Sequence, residues 1–228
     1  MDTTISPASQ DYLKAIYELS ERYGRASTSH IADQLAIKPA SVTGMLQKMA
    51  QDEPPLVTYK KHQGVTLTPE GEKAALEIVR HHRLIESFLH EILGYSWDEV
   101  HEEAERLEHV ISEDMERRMA AVLGNPKRDP HGHPIPTQDL TIAQMTDVPL
   151  RDLRPGDTAV VERVHDSDSD LLRYLDSLGL RPPAKVHVVS YVPFDQTIHV
   201  QIEEQPGIIV LGPRITRDIF VRVLKDIS

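Results

Sequence analysis

Two imidazole–carboxylate pairs stand four residues apart, His82 with Glu86 and His101 with Glu105, and Glu108 and His109 follow the second pair. Place residues 96–123 on one helix with His101 at zero and about 100° per residue. Glu105 then falls near ~40°, Glu108 near about −20° and His109 near ~80°, a stripe about 100° wide. Ala104, Ile111, Met115 and Val122 lie just beside it, so the stripe borders the buried face. His82 and Glu86 likewise share a helix side with Ile78, Ile85 and Leu89. Carboxylates and imidazoles at the edge of a core repel or suffer desolvation unless a cation neutralises them. The chemistry this points to is divalent-ion binding by nitrogen and oxygen donors, a set that suits Mn²⁺, Fe²⁺, Co²⁺, Ni²⁺ or Zn²⁺. The bland alternative, a solvated acidic face, fits one such pair better than two on consecutive helices. His131 and His133 sit in a Pro-rich loop and read as exposed or hydrogen-bonded. His30, His62, His90, His165, His187 and His199 lack a partner at ligand spacing and read as structural or surface residues. Neither a Gly-rich phosphate loop nor a His-Glu-x-x-His motif is present, so an enzyme is not expected.

Positioning those side chains falls to a short series of elements. Tyr12, Leu13, Ile16, Tyr17 and Leu19 recur at helical spacing until Gly24 stops the helix. Thr28–Leu35 reads as a short helix started by a hydroxyl cap, and Pro39 opens another whose stripe is Val42, Met45, Leu46 and Met49. Leu56–Tyr59 and Val65–Leu67 flank a polar, Gly-containing turn as a hairpin. This is the order of a winged helix-turn-helix. Thr68-Pro69 begins a long helix with Ile78, Leu84, Ile85, Phe88, Leu89 and Leu93 on its apolar face, and Ser96–Glu99 is a capping box for the next helix, expected to reach about Gly124. Four prolines make 125–140 a linker or an ordered crossing loop. Beyond Leu150 the pattern turns to period two, with five short strand candidates at 159–164, 185–189, 198–202, 208–211 and 219–223 and one helix near 170–178. That pattern predicts a small β-barrel. The fold class is therefore mainly α with small β, divided as 1–72, 73–140 and 150–228.

Composition narrows the function classes. The chain has 228 residues and a formal charge of −11, which argues against a generally cationic nucleic-acid coat. Residues 1–78 carry 8 basic and 10 acidic groups, 79–128 carry 7 and 11, and 129–228 carry 10 and 15. The first segment is nearest neutral and best suited to meet a polyanion. Cysteine is absent, which removes disulfides, thiolate metal sites and cysteine nucleophiles. No apolar run approaches the ~18 residues of a membrane span and no signal peptide is evident, so a cytoplasmic protein without membrane attachment is expected.

The runs Asp11–Tyr17, His82–Glu86, Val100–Glu105, Leu107–Val110 and Pro130–Pro136 resemble the diphtheria-toxin-repressor family of iron- and manganese-dependent transcriptional regulators. The resemblance spans nearly the whole chain. It implies a winged-helix DNA-binding domain, a helical metal-binding and dimerisation domain, and a C-terminal SH3-like, FeoA-type module. Position by position, it implies one metal site from Asp11, Glu105, Glu108 and His109, and another from His82, Glu86 and His101 completed by a polar side chain near Asp166–Asp170. The iron-responsive branch has Met and Cys where this chain has Asp11 and Glu105, so the donors resemble the manganese branch. That branch often has Glu at the place of Lys14, which speaks against a binuclear manganese arrangement. Mn²⁺ is thus the first expectation and Fe²⁺ the second, with Co²⁺, Ni²⁺ or Zn²⁺ able to bind in the test tube.

The 39–50 helix is the recognition-helix candidate, with Ser41, Thr43, Gln47 and Lys48 off its buried stripe. Lys38 and the wing around Lys60, Lys61 and His62 are placed to meet phosphates. Hydroxyls at 41 and 43 suit phosphate or thymine-methyl contacts better than guanine readout. A ligand at Asp11 and three on the 96–123 helix would make the ion a tether between reading head and dimer platform. Such binding is worth ~4.1 kcal/mol per site at a thousand-fold excess over Kd, against the ~5.5 kcal/mol needed to invert a 1:99 equilibrium. The expected protein is a metal-activated homodimeric repressor of metal-uptake genes acting on palindromic double-stranded operator DNA. A winged-helix regulator of an organic ligand and a metal storage or delivery protein are the alternatives.

Overall fold

The computed structural model describes residues 5–61, 63–145, 148–203 and 205–224, which form two compact units. His62, in the expected wing, lies outside the described residues.

The first unit comprises Met1–His82 with Glu108–Ile111 and Pro136–Thr141. Helix α1 (Pro7–Tyr23) is N-capped by Ser6, whose hydroxyl accepts from Ser9 N, and ends at Gly24 with φ 73°. Glycine reaches that left-handed conformation without a Cβ penalty. Helix α2 (Thr28–Gln34) is capped by Ser27, not by Thr28, because the Ser27 hydroxyl accepts from His30 N. Helix α3 (Pro39–Met49) buries Val42, Leu46 and Met49. Strands β1 (Val57–Lys60) and β2 (Gly64–Leu67) pair antiparallel from Val57↔Leu67 to Lys60↔Gly64. Helix α1 packs on α2 and β2, α2 on α3, and α3 on β1. A helix-turn-helix with its wing results. Helix α4 (Pro69–Glu91) opens with Thr68 Oγ1 accepting from Gly71 N, as the sequence predicts.

The second unit comprises Arg83–Leu107, Ser112–Ile135 and Ile142–Ser228. The single helix expected over 96–124 is two: α5 (Val100–Leu107) and α6 (Glu113–Val122). Ser112 accepts from Met115 N and starts α6 with acidic residues in its first turn, a strong local N-terminus. Periodicity that runs through this cap misplaces the apolar residues of α6. Met115 and Val122, expected on the buried side, are 47% and 63% exposed, and Leu93 is exposed too. Glu99 Oε2 accepts from Ser96 N and Oγ, but the helix itself begins at Val100.

The C-terminal strands are β3 (Thr158–Val164), β4 (Lys185–Val192), β5 (Thr197–Ile202), β6 (Ile209–Leu211) and β7 (Ile219–Leu224). They form one antiparallel sheet in the order β6-β5-β4-β3-β7, with helix α7 (Ser169–Ser177) between β3 and β4 and α8 (Pro213–Thr216) before β7. The expected barrel is an open sheet with β6 and β7 as edges. The two-residue period is clear in β5, where Ile198, Val200 and Ile202 are buried. They join Val161, Leu172, Leu175, Val186, Val188, Val221 and Trp97 in the core. Each such side chain contributes about 1.5–3 kcal/mol by leaving water.

Candidate metal centres

In the first unit Asp11 of α1 meets Glu108 and His109, which lie in the turn after α5 rather than on a helix. His109 Nε2 is 2.7 Å from Asp11 Oδ1 and 3.6 Å from Glu108 Oε1, while His109 Nδ1 is 2.8 Å from Gln10 Oε1. An amide oxygen only accepts, so Nδ1 donates to Gln10 and leaves Nε2 facing the two carboxylates, where a divalent ion between them would take its lone pair. That tautomer is the one a metal-ligating histidine uses, with Gln10 as its outer partner.

Glu108 is fully buried, and its two oxygens differ. Oε2 lies 2.7 Å from Lys14 Nζ and 2.5 Å from His82 Nδ1. Oε1 is buried with no hydrogen-bond partner, an orphaned atom that calls for a cation. Burial works to raise the Glu108 carboxyl, yet the hydrogen bond from His82 and the charge of Lys14 outweigh it and hold it below the ordinary value. Lys14 is itself only 5% exposed and lies 2.9 Å from His82 Nδ1. His82 therefore has a role at Glu108 that its spacing with Glu86 did not reveal.

The second unit holds another cluster. Glu86 of α4, His131 of the Pro-rich loop and Asp166 after β3 bring ligand atoms within 4.8 Å of one another. His101 Nδ1 of α5 is 3.2 Å from Glu86 Oε1 and 3.9 Å from Asp166 Oδ2. His101 Nε2 also lies 3.8 Å from Glu105 Oε1. The expected pairing of Glu86 with His101 is thus present, and Asp166 is the side chain that joins it from the 166–170 loop.

Of the two expectations for His131 and His133, exposed or hydrogen-bonded, exposure does not hold: they are 0% and 8% exposed. Asp129 Oδ1 accepts from both His131 N and His133 N at 2.9 Å and folds the loop around itself. Gly132, at φ 94°, lets the loop lie on β3, since a Cβ there would stand 1.9 Å from the Glu162 carbonyl oxygen. Val164 N donates to His131 O at 3.0 Å, and Arg83 Nη1 donates to Pro134 O at 2.5 Å. His131 Nε2 donates to Trp97 O at 2.9 Å, which again leaves Nδ1 as the ligating atom. His131 Nδ1, His133 Nδ1 and Asp129 Oδ2 are all buried without a hydrogen-bond partner.

The charges agree with this picture. Burial alone would depress His131, but Glu86, Asp166 and Asp129 push it up to about 9. Burial alone would raise Asp166, but His133, His165 and His101 hold it well below the carboxylate range. Carboxylates and imidazoles with orphaned atoms at two separate places are a donor set that fits divalent cations.

The DNA-facing candidates are accessible. Lys38, Ser41, Gln47, Lys48, Lys60 and Lys61 are exposed, and Thr43 is half-buried with its hydroxyl donating to Pro39 O at 3.2 Å.

Three family models match along the chain. Residues 4–65 match the iron dependent repressor N-terminal DNA binding domain, 68–137 the iron dependent repressor metal binding and dimerisation domain, and 148–223 the FeoA domain. The chain is 36% identical over 190 residues to the iron-dependent repressor IdeR of Mycobacterium leprae, covering 78% of this chain and 81% of that relative. It is 40% identical over 107 residues to the HTH-type transcriptional regulator MntR of Bacillus pumilus, covering 47% and 72%. A solved structure described as a manganese-dependent transcriptional repressor in complex with manganese superposes with TM-score 0.88 at 39% identity, covering 95% of this chain and all of that one. Another, described as the manganese regulator SloR, gives TM-score 0.78 at 31% identity over 96% of this chain.

Proposed function

Because the chain belongs to the iron-dependent repressor family of metal-dependent, DNA-binding transcriptional repressors, we propose that it represses metal-uptake and homeostasis genes with Mn²⁺ as principal corepressor and Fe²⁺ second. Co²⁺, Ni²⁺ and Zn²⁺ compete for the same donors in vitro, since affinity follows ion type more than biological role. The carrying observation is Asp11 of the DNA-binding module standing 2.7 Å from His109, beside the orphaned Glu108 Oε1.

When bound, the ion supplies the positive charge that these carboxylates need to stay together in a buried place. Asp11, Glu108 and His109, with Glu105 from the sequence assignment, hold the first ion. Gln10 orients the His109 ring and Lys14 balances the far oxygen of Glu108. Glu86, His101, His131 and Asp166 hold the second, and His82 keeps its assignment to it as Glu86's neighbour one helical turn away. Asp11 binds only when α1 sits against the 108–111 turn, so ion binding and placement of the reading head are one event.

In this protein residues 1–72 would serve DNA binding, 73–140 metal binding and dimerisation, and 150–228 form the SH3-like module, with no catalysis and a cytoplasmic location. Among the described residues no helix is long and apolar enough to cross a membrane. Exposed Ile92, Leu93, Met115 and Val122 support a homodimer through the helical region, which would set two α3 helices on the half-sites of a palindrome. The test is a gel shift on the chain's own upstream DNA with chelator, Mn²⁺ and Fe²⁺. Metal-dependent retention is expected; metal-independent retention or none overturns the reading.

A further inference from the structure

Of the two loop histidines that helix spacing assigns to nothing, His131 joins the Glu86–Asp166 group, and His133 is the one still without a role. Its Nδ1 lies 3.3 Å from Asp129 Oδ2 and 3.4 Å from Asp166 Oδ2. It is buried, yet it makes no hydrogen bond to either. Its Nδ1 thus faces two carboxylates at ion-pair distance without an N–H aimed at either oxygen. A buried nitrogen held between two carboxylates and hydrogen-bonded to neither is also where a donor atom stands around a cation.

The loop is built to keep it there. Asp129 Oδ1 takes the backbone N–H of His133, and Asp129 Oδ2 is 3.8 Å from Arg83 Nε. Arg83 also holds the loop through the Pro134 carbonyl. Asp166 Oδ2 lies within 3.9 Å of both His133 Nδ1 and His101 Nδ1, so one carboxylate oxygen is shared by two imidazoles from different elements.

We propose that His133 is a nitrogen donor to the second cation, and that with His101 and His131 it makes this centre an imidazole-rich site for zinc-like ions while the Asp11–Glu108–His109 centre remains the manganese site. Imidazole suits Zn²⁺, Ni²⁺ and Fe²⁺, whereas carboxylate oxygens suit Mn²⁺. The first centre groups one imidazole with Asp11 and Glu108, and the second groups His131 with Glu86 and Asp166. His101 adds a second imidazole against Glu86, and His133 a third against Asp166. The two centres of one chain thus differ in which ion they prefer, and a mixed-metal protein is the consequence. This inference rests on the metal-binding part of the proposed function and not on DNA recognition.

The experiment titrates the metal-free full chain with Zn²⁺ and Mn²⁺ separately, in wild type, His133→Gln and Asp11→Asn, by calorimetry with chelator competition. Wild type should take two Zn²⁺ per chain. Asp11→Asn should keep the tighter one, and His133→Gln should weaken that one by ~10–100-fold or more, the scale seen on losing even an outer partner of a ligand. The Mn²⁺ affinity of the first centre should stay within about threefold in His133→Gln, because carboxylate-rich sites owe little to a remote imidazole. X-ray absorption at the zinc edge of the Asp11→Asn protein loaded with one Zn²⁺ reads the ligands directly and should fit three imidazoles. Unchanged Zn²⁺ affinity in His133→Gln, an equal loss for both ions, or a fit to two imidazoles overturns the proposal. Failure of the metal-dependent gel shift with three imidazoles on zinc would sink the repressor reading and leave this one standing.

Discussion

Replacing Lys14 by Met tests the electrostatics of the first centre most sharply. Lys14 Nζ lies 2.7 Å from Glu108 Oε2 and both side chains are buried, so solvent screening does not dilute the pair. Removing one partner of a buried pair costs about 3–5 kcal/mol, because the other charge is left in a poor dielectric. His82 Nδ1 still holds Glu108 Oε2 at 2.5 Å, which places the expected loss at the lower end, ~3 kcal/mol. For a chain of this size that is a fall in Tm of ~6–12 °C in chelator. Saturating Mn²⁺ should restore more stability to the variant than it adds to wild type. In the variant the ion also neutralises a carboxylate that has lost its ammonium. Thermal and urea denaturation of both proteins, each with chelator and with Mn²⁺, measures all four states. If Lys14→Met in chelator melts within about 2 °C of wild type, Glu108 is not carrying an unscreened charge and the reasoning about its orphaned oxygen is wrong.

Asp11→Ala should abolish the operator retention that Mn²⁺ induces in a gel shift; Mn²⁺-dependent retention of the variant at wild-type strength would show that α1 is not tied through this carboxylate. In chelator, the His131 contribution to stability should be fully present below ~6.5, the unfolded value, and should disappear as pH rises through about 9, because the folded state holds the imidazolium. Urea midpoints at pH 6.5 and 9.5 measure this, and a midpoint that rises with alkali contradicts it. Asp166 runs the other way, stabilising above its unfolded value and losing its effect as acid protonates it. Lys60→Ala in the wing should weaken DNA binding evenly across sequences and lower the salt slope by ~1, checked by binding isotherms at several salt concentrations.

Much of the fold was legible in the residues because local rules and tertiary packing agree there. Gly24 ends α1, Pro39 opens α3, Thr68 caps α4, and the alternation in β5 fits a sheet with one buried side. The break between α5 and α6 escaped because hydrophobic periodicity continues across Ser112, and a cap outweighs a moment over so few residues. That misreading did not part Glu108 and His109 from Asp11, since the resemblance to the family rather than helix angles carried the assignment. The second centre was half legible. Glu86 and His101 stood out in their spaced pairs, and the resemblance to the family joined them to a polar side chain near Asp166–Asp170. His131 and His133 did not, because a Pro-rich segment reads as solvated until β3 is known to lie under it. The signal that would have found them is Asp129 two residues before His131 and four before His133, a short carboxylate placed to catch both backbone amides. Gln10 and the balancing role of Lys14 leave no trace in spacing at all; they depend on which face of α1 meets the 108–111 turn.

Gly132 has a consequence beyond its own turn. With the Glu162 carbonyl seated where any larger residue would put its first carbon, the loop is keyed to strand β3 as a peg is to its slot, and the two histidines that flank the peg share one foundation. A substitution such as Gly132→Ala would lift that whole block off the strand. It should therefore disturb both rings at once while leaving the reading head untouched.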